Sequence, residues 1–183
     1  DRNGQILSVV DPLNQTASNS YDVRGLLTTS TDASGRAVAY EYDAVGRVLK
    51  RREDPTGLNL TTTYAYDGQG RQITVTDASG RVTNMAYDRK GHLTETVRDP
   101  NGLALRTSFS WDRDGRQLTV TEGAGRTVAT TTAYGYDALG RRIGETRGSG
   151  VLNLTTIYTY DANDNVTRRM DASGRITRYS YDG

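Results

Sequence analysis

A short turn-like tetrad, Asp-x-x-Gly, recurs along the chain and constrains its fold more than any other feature of the sequence. In one set of tetrads an aromatic residue stands directly before the Asp, and we name these the aromatic-Asp turns. They are Tyr21-Asp22…Gly25, Tyr42-Asp43…Gly46, Tyr66-Asp67…Gly70, Tyr87-Asp88…Gly91, Trp111-Asp112…Gly115, Tyr136-Asp137…Gly140, Tyr160-Asp161…Asp164 and the beginning of another, Tyr181-Asp182. Such internal repetition predicts an array of similar units.

A second set of tetrads, without the aromatic residue, alternates with the first, and we name these the return turns. They are Asp32…Gly35, Asp54…Gly57, Asp77…Gly80, Asp99…Gly102 and Asp171…Gly174, with variants at Asp11…Asn14, Glu122…Gly125 and 147–150. Asp1…Gly4 fits the tail of an earlier unit. Counting both sets, a tetrad begins roughly every 11 residues, which is typical of short strands joined by tight turns.

Each place in the tetrad has a physical reason. The Asp side chain can accept a hydrogen bond from the backbone N–H two residues on, and Pro at the second place presets the φ angle of a type I turn. Pro12, Pro55 and Pro100 all occupy that place. Gly at the fourth place is predicted to supply the left-handed residue that closes a hairpin loop with a bulge, and Asn14 and Asp164 are the substitutes that best tolerate this conformation.

The segments between the turns alternate with the period of a β-strand. One face of the segment before Asp67 carries Leu58, Leu60, Thr62, Tyr64 and Tyr66. Helix-period runs and helix caps are absent, so the sequence predicts an all-β fold, a repetitive antiparallel β-hairpin meander with essentially no helix. At about 4.8 Å per strand, so many strands exceed what an open twisted sheet sustains, and we expect the meander to curl into a spiral strip or partial shell with aromatic ladders on one face.

Charge and composition exclude several classes of function. Lys and Arg number 23 against 22 Asp and Glu, and the two signs are interspersed, so the chain has no basic patch for nucleic acid or an anionic membrane. No apolar run is long enough to span a membrane. The chain has no cysteine, so neither disulfides nor thiolate metal sites contribute.

The residues that could carry chemistry favour a structural interpretation. His92 is the one histidine, and it occupies a turn exit that Arg fills elsewhere, so we interpret it as a solvated surface residue. The Asp residues come one per turn, unlike the concentrated ligands of a calcium loop. We therefore predict no catalytic residue, no metal site and no cofactor, and we expect that the chain is not an enzyme.

The sequence resembles the YD repeat of the RHS family along its whole length. The resemblance is carried by Tyr-Asp-Ala-Val-Gly-Arg at 42–47, Tyr-Asp-Gly-Gln-Gly-Arg at 66–71 and Tyr-Asp-Ala-Leu-Gly-Arg at 136–141. The chain departs from that pattern at Leu26, His92, Trp111 and Asp164. Members of the family include bacterial RHS polymorphic toxins, the C components of Tc toxin complexes, wall-associated bacterial proteins and the animal teneurins.

The resemblance implies repeats that form part of a hollow β-cocoon around a toxin domain or an equivalent segment. We therefore expect residues 1–183 to be one array of about seven to eight units, truncated at both ends, that serves as a scaffold in a secreted or cell-surface bacterial protein. The implied partners are the remaining repeats of the parent chain and an enclosed toxin domain or other polypeptide cargo. Because open sheet edges pair with other strands, we also expect this fragment to self-associate.

Two alternative interpretations remain at this point. Many RHS proteins carry a C-terminal core that cleaves itself by aspartyl chemistry, and Asp-Pro-x-Gly-Leu at 54–58 and 99–103 resembles motifs near that core; here both copies are in register with ordinary turns. The second alternative is an extracellular carbohydrate-binding or adhesion module, because sugar rings could stack on paired tyrosines. Regular placement in successive units favours a packing ladder instead. The pairs are Tyr40/Tyr42, Tyr64/Tyr66, Tyr134/Tyr136, Tyr158/Tyr160 and Tyr179/Tyr181.

Overall fold

The computed structural model of the chain describes residues 4–148 and 152–182. Asp1, Ser149 and Gly150, which the sequence predicts to lie in turns, fall outside the described residues. The described parts of the chain contain strands and turns but no helix, so the predicted all-β hairpin meander is confirmed. The strands are β1 (Ser8–Val10), β2 (Thr16–Tyr21), β3 (Leu27–Thr31), β4 (Ala37–Tyr42), β5 (Val48–Glu53), β6 (Leu60–Tyr66), β7 (Gln72–Thr76), β8 (Val82–Tyr87), β9 (Leu93–Arg98), β10 (Leu105–Trp111), β11 (Gln117–Glu122), β12 (Thr130–Tyr136), β13 (Arg142–Arg147), β14 (Leu154–Tyr160), β15 (Val166–Met170) and β16 (Ile176–Arg178).

The chain divides into two compact units, Asp1–Asn84 and Met85–Gly183, and the division falls inside β8. In the first unit each strand from β1 to β8 pairs antiparallel with its neighbour in the chain. The second unit repeats this arrangement from β9 to β16. Both units are therefore up-and-down meanders; the single array over residues 1–183 and its curling stay predictions.

Hairpins closed by aromatic-Asp turns share one irregularity. In the β6–β7 hairpin, Ala65 lies opposite Thr74 but Tyr66 lies opposite Gln72, so Ile73 is an extra residue on the second strand. The same register shift occurs next to Tyr21, Tyr42, Trp111, Tyr136 and Tyr160. A bulge bends its strand and increases the local twist. It also ends the regular ladder near these six aromatic-Asp turns.

The register assigns the two faces of each unit different chemistry. Directly opposite residues share a face, so Tyr64 lies beside Val75 in the first unit, and Tyr134 beside Glu145 in the second. The opposite face of the second unit carries threonine pairs instead, with the Oγ1 atoms of Thr121 and Thr131 2.9 Å apart. The predicted segregation of aromatic side chains to one face is therefore observed in both units.

No described residue is fully buried, apolar or polar. The paired tyrosines Tyr64 and Tyr66 are half-buried, while Leu58 at the other end of the segment is 77% exposed. Each unit is therefore a single sheet layer without a second layer packed on it. The expected burial of aromatic side chains against neighbouring repeats is only partial, because one sheet face cannot exclude water from a ring.

Two return turns differ from the prediction. Left-handed backbone was expected at Gly57 and Gly102, but it occurs instead at Asp54 (φ 49°) and Asn59 (φ 50°) and at Asp99 and Ala104. The N–H of Asn59 donates to the Asp54 carbonyl over 2.8 Å and closes a six-residue loop. Gly57 is needed for a different reason: a Cβ there would lie 2.3 Å from the Asp54 carboxylate.

Two variant return turns also begin one residue later than predicted. The turn assigned to Glu122 starts at Gly123, which has φ 69° and accepts a hydrogen bond from the N–H of Arg126. The turn assigned to Arg147 starts at Gly148, whose carbonyl accepts from Leu152. The left-handed residues at Asn14 and Asp164 are as expected.

Candidate functional site: the row of aromatic-Asp turns

The aromatic-Asp turns share one hydrogen-bonding pattern, which Asp67 illustrates. Its Oδ1 accepts 2.9 Å hydrogen bonds from the N–H groups of Gln69 and Arg71, and its Oδ2 accepts from Arg71 Nε at 2.7 Å. The backbone N–H of Arg71 is the main cause that lowers the pKa of Asp67; partial desolvation opposes it, and the Arg71 side chain adds to the lowering. The Asp67 carboxylate thus bonds both to a residue inside the turn and to the residue that follows the turn.

Most of the aromatic residues that precede an Asp donate a hydrogen bond to an earlier hairpin. Tyr66 donates its hydroxyl hydrogen to the carbonyl of Val48, eighteen residues earlier, over 2.9 Å. Trp111 uses its indole N–H in the same way, on the carbonyl of Leu93 at 2.7 Å. This explains how Trp replaces Tyr: both rings carry a polar hydrogen that Phe lacks. The other bonds of this kind are Tyr21 to Ile6, Tyr42 to Leu27, Tyr136 to Gln117, Tyr160 to Arg142 and Tyr181 to Val166.

These aromatic residues fill a gap between hairpins. The β5–β6 ladder stops at Lys50 opposite Thr63, three residues short of Tyr66, because the bulge diverts the start of β5. The Tyr66 ring lies in the opening that results, and its hydroxyl satisfies the Val48 carbonyl that the ladder leaves without a backbone donor. The same relation holds where β13 meets β14, beside Tyr160.

In several aromatic-Asp turns, an arginine directly after the turn connects one hairpin to the next. Arg47 pairs with Asp43 at 2.6 Å in its own turn, and its guanidinium lies 4.7 Å from the ring centroid of Tyr66. Its Nη1 also reaches the backbone carbonyl of Asp67, at 3.4 Å. Because two successive turns are separated by two strands, or about 10 Å, only a long side chain can make this bridge.

We name the set of contacts between one aromatic-Asp turn and the next aromatic residue a joint. In the second unit, the joint that begins at Arg141 has an Asp137 ion pair of 2.7 Å, a cation–π contact with Tyr160 of 4.9 Å and a 3.0 Å hydrogen bond to the Asp161 carbonyl. Arg116 makes the same three kinds of contact with Asp112, Tyr136 and Asp137. A cation over an aromatic face is attracted by the ring quadrupole.

Two turns without this arginine make the connection from the third place of the tetrad. Leu26 follows Gly25, and there Arg24 pairs with Asp22 and donates to the Asp43 carbonyl over 2.7 Å. His92 follows Gly91, and there Lys90 donates to the Arg113 carbonyl over 2.8 Å. Neither role was predicted from the sequence; a basic residue two places after Asp, in a turn that lacks the usual Arg, is the signal that indicates it.

The described residues contain no cluster of three or more His, Cys, Asp or Glu side chains that could hold a metal ion. The Asp54 and Asp99 carboxylates of the Asp-Pro-x-Gly-Leu segments each accept a hydrogen bond from the backbone, of Leu58 and Leu103 respectively. These carboxylates therefore close loops, and the absence of catalysis stays a prediction.

No helix that could cross a membrane is present in the parts of the chain that the structure describes.

The repeated hairpins and their joints define the class of protein: an antiparallel hairpin-repeat array. A family model described as RHS Repeat matches residues 21–58, 49–82, 87–127 and 153–183, which is most of the chain. The chain belongs to the RHS repeat family. The resemblance stated from the sequence is thereby confirmed.

Solved structures of Tc toxins share this fold. A Tc holotoxin pore from Photorhabdus luminescens, with a TccC3 variant, matches at TM-score 0.74 and 18% identity over 90% of this chain and 9% of that chain. TcdB2-TccC3 without its hypervariable C-terminal region matches at TM-score 0.71 and 17% identity, over 89% of this chain and 10% of that one. This chain thus spans about a tenth of the length of each, and the likeness shows the fold alone. No curated protein sequence matches the chain.

Proposed function

We propose that the chain is a structural segment of a secreted bacterial RHS protein and forms part of a shell that encloses a toxin domain or other polypeptide cargo. The observation that supports this role is the row of joints, because each joint bonds a hairpin to the next without a buried core. A single sheet layer with bonded hairpins is suited to a wall. The role needs no catalytic residue and no cofactor.

The proposed partners are the remaining repeats of the parent chain and the enclosed cargo. Strands β1 and β16 each pair on one side within their unit, so their other sides are free in the described chain to pair with further repeats. Ile6, Val9 and Val10 are more than half exposed at the first of these edges. Further repeats would cover this apolar surface.

Protection of the cargo tests the proposal. The parent protein is treated with a protease, and cleavage inside its enclosed segment is followed over time by mass spectrometry. We expect the segment to be resistant with the wild-type chain and to be cut faster in Tyr66→Ala, which opens a joint. Leu58→Ala, at the exposed end of the same segment, is the control and should leave the resistance unchanged. Equal cleavage of intact and opened shells would overturn the enclosing role.

One observation favours carbohydrate binding as a second candidate. Tyr134 and Tyr158 line open clefts together with Glu145 and Arg147, an arrangement of aromatic and charged groups that could hold a sugar. One contact argues against this candidate. The guanidinium of Arg142 lies 5.5 Å from the ring centroid of Tyr134 and 5.6 Å from that of Tyr158, so it covers one face of each ring on which a sugar would stack. A glycan array probed with the wild-type chain and with Arg142→Ala would decide: binding that increases when the rings are uncovered supports the second candidate.

A further inference from the structure

The joint between His92 and Trp111 differs chemically from the other joints. The imidazole of His92 occupies the place of the guanidinium and stacks on the Trp111 indole, with ring centroids 5.3 Å apart and an interplanar angle of 25°. Its Nδ1 lies 3.0 Å from Asp88 Oδ2. Histidine is the side chain that ordinarily changes charge between about pH 5 and 8, whereas arginine stays charged throughout.

We propose that this joint is proton-sensitive: protonation of His92 converts a neutral stack into an arginine-like cation–π and ion-pair contact and strengthens the link between two neighbouring hairpins. The inference is independent of whether the shell encloses cargo. It concerns one joint, because the described joints at Arg47, Arg116 and Arg141 have permanent cations in this place.

The geometry shows which nitrogen takes the proton. A carboxylate only accepts hydrogen bonds, so Nδ1 next to Asp88 carries the hydrogen of the neutral ring. The second proton must then bind to Nε2. A Cβ added to Gly115 would lie 3.1 Å from Nε2, so this nitrogen faces the glycine of the next aromatic-Asp turn, where no side chain covers it. The ring is 23% exposed, which lets protons exchange with solvent.

Other charges around His92 are already engaged. Asp112 and Asp114, on the facing turn, pair with Arg116 at 2.6 and 3.0 Å. Lys90 of its own turn extends to the carbonyl of Arg113 and so holds the two turns together in both charge states of the ring. Protonation therefore adds the attraction of the imidazolium to Asp88 and to the indole face, while Lys90 preserves the register.

Fluorescence reads this joint directly, because the chain has one histidine and one tryptophan. An imidazolium in contact with an indole quenches its emission more strongly than the neutral ring does. We expect the emission of Trp111 in the wild-type chain to fall in one sigmoidal step as the pH is lowered from 8 to 5. His92→Gln and His92→Arg should show no step. A flat wild-type curve, or a step that persists in His92→Gln, would overturn the proposal.

Thermal unfolding tests whether protonation of His92 stabilises the joint, which is a separate question from whether His92 stacks on Trp111. His92→Arg should have a higher melting temperature than the wild-type chain at pH 8, and the difference should shrink at pH 5.5, where both side chains are cationic. Arg116→Gln at the following joint is the matched control, and its difference from wild type should be equal at the two pH values. A His92→Arg difference that does not change with pH would show that protonation does not strengthen the joint.

Discussion

The two rows of turns use the same Asp-x-x-Gly chemistry but differ in what surrounds them. In the return turns, the arginines that pair with the turn aspartates are 68% to 84% exposed. The pairs are Asp32 with Arg36, Asp77 with Arg81 and Asp171 with Arg175. In the aromatic-Asp turns, the arginines that follow Asp43, Asp67, Asp112 and Asp137 are only 23% to 34% exposed. The tetrad closes a hairpin in both rows, and in the aromatic-Asp row the residues around it also join neighbouring hairpins.

This difference explains why the return turns vary in form. The row includes tetrads such as 32–35, six-residue loops such as 54–59 and the glycine-rich loop at 123–129. A turn whose side chains are mostly exposed to solvent can change length with little effect on another hairpin. One contact between return turns is present nonetheless, since Arg126 in the loop at 123–129 donates to the carbonyl of Leu103. The aromatic-Asp turns keep one length, because turns such as those at Asp43 and Asp137 must present both an aspartate carbonyl and an arginine about 10 Å from the neighbouring turn. Leucines at the return turns are also exposed, for example Leu103 at 65%, which agrees with turns that can vary in length.

Lowering the pH should reduce the stability of the chain more than any single substitution, because aspartates in both rows of turns become protonated. Hydrogen bonds lower the pKa of aspartates in both rows, among them Asp43 and Asp67 in the aromatic-Asp row. In the return row they lower the pKa of Asp32 and Asp171 to about 2, where the Ser34 and Ser173 hydroxyls are the main cause. A lowered folded-state pKa contributes stability above the unfolded value of 3.8, and this stability is lost as the pH falls toward 2. Urea unfolding should thus give constant stability above about pH 5 and a steep loss below pH 4.

The control for this acid effect is Asp32→Asn. The variant should lose less stability than the wild-type chain between pH 4 and pH 2, since it lacks one of the carboxylates that take up protons on unfolding. Parallel curves for the two proteins in this range would contradict the assignment of acid sensitivity to the turns.

The next largest change in stability is expected from substitutions at the two ends of the segment 58–66. Tyr66→Ala removes the ring between β5 and β6 together with its hydrogen bond to Val48, and it should reduce the free energy of unfolding by about 2–4 kcal/mol. Leu58→Ala, at the return end, should change it by less than about 0.5 kcal/mol. Chemical denaturation measures both. Tyr66→Phe separates the ring from the hydroxyl and should cost about 1 kcal/mol. Equal losses for Tyr66→Ala and Leu58→Ala would remove the distinction between the rows.

Glycine-to-alanine substitutions compare the two rows of turns through a smaller expected change in stability. Gly35 and Gly25 have φ of 84° and 82°, so alanine at either position should cost about 1–2 kcal/mol. A Cβ at Gly35 meets nothing within 4 Å, whereas one at Gly25 would lie 3.1 Å from Nε2 of Gln5, which donates to the Gly25 carbonyl and would have to shift. We therefore expect Gly25→Ala to lower the melting temperature more than Gly35→Ala. The reverse order would show that return turns are the more constrained.

The smallest effect concerns the arginines. Arg47→Ala removes an ion pair and a cation–π contact with Tyr66, and it should cost about 1 kcal/mol. Arg36→Ala removes an exposed pair within one return turn and should stay within about 0.5 kcal/mol of wild type. Raising the salt concentration screens the exposed pair more than the half-buried one. If the two variants lose equal stability, the joints contribute nothing beyond the turns.

Much of the fold could be predicted from sequence because its turns are local. Asp22 bonds to N–H groups two and four residues away, and this range of interaction is visible in a tetrad. The loops at Asp54 and Asp99 were mispredicted because their left-handed residues stand at the first and last places of six, and Pro-x-Gly in the middle resembles an ordinary turn. The offset turn at Gly123 was missed for a similar reason, since Glu122 imitates the Asp of a tetrad.

The sequence by itself determined the spacing of the hairpins, their turn chemistry and the face on which the tyrosines lie, because these follow from bonds within a few residues and from strand alternation. Only the tertiary structure decided which carbonyl each aromatic residue meets and that Arg24 and Lys90 replace the usual arginine. Those contacts join residues about twenty positions apart across two strands. They depend on where a bulge ends the ladder, which no local pattern specifies.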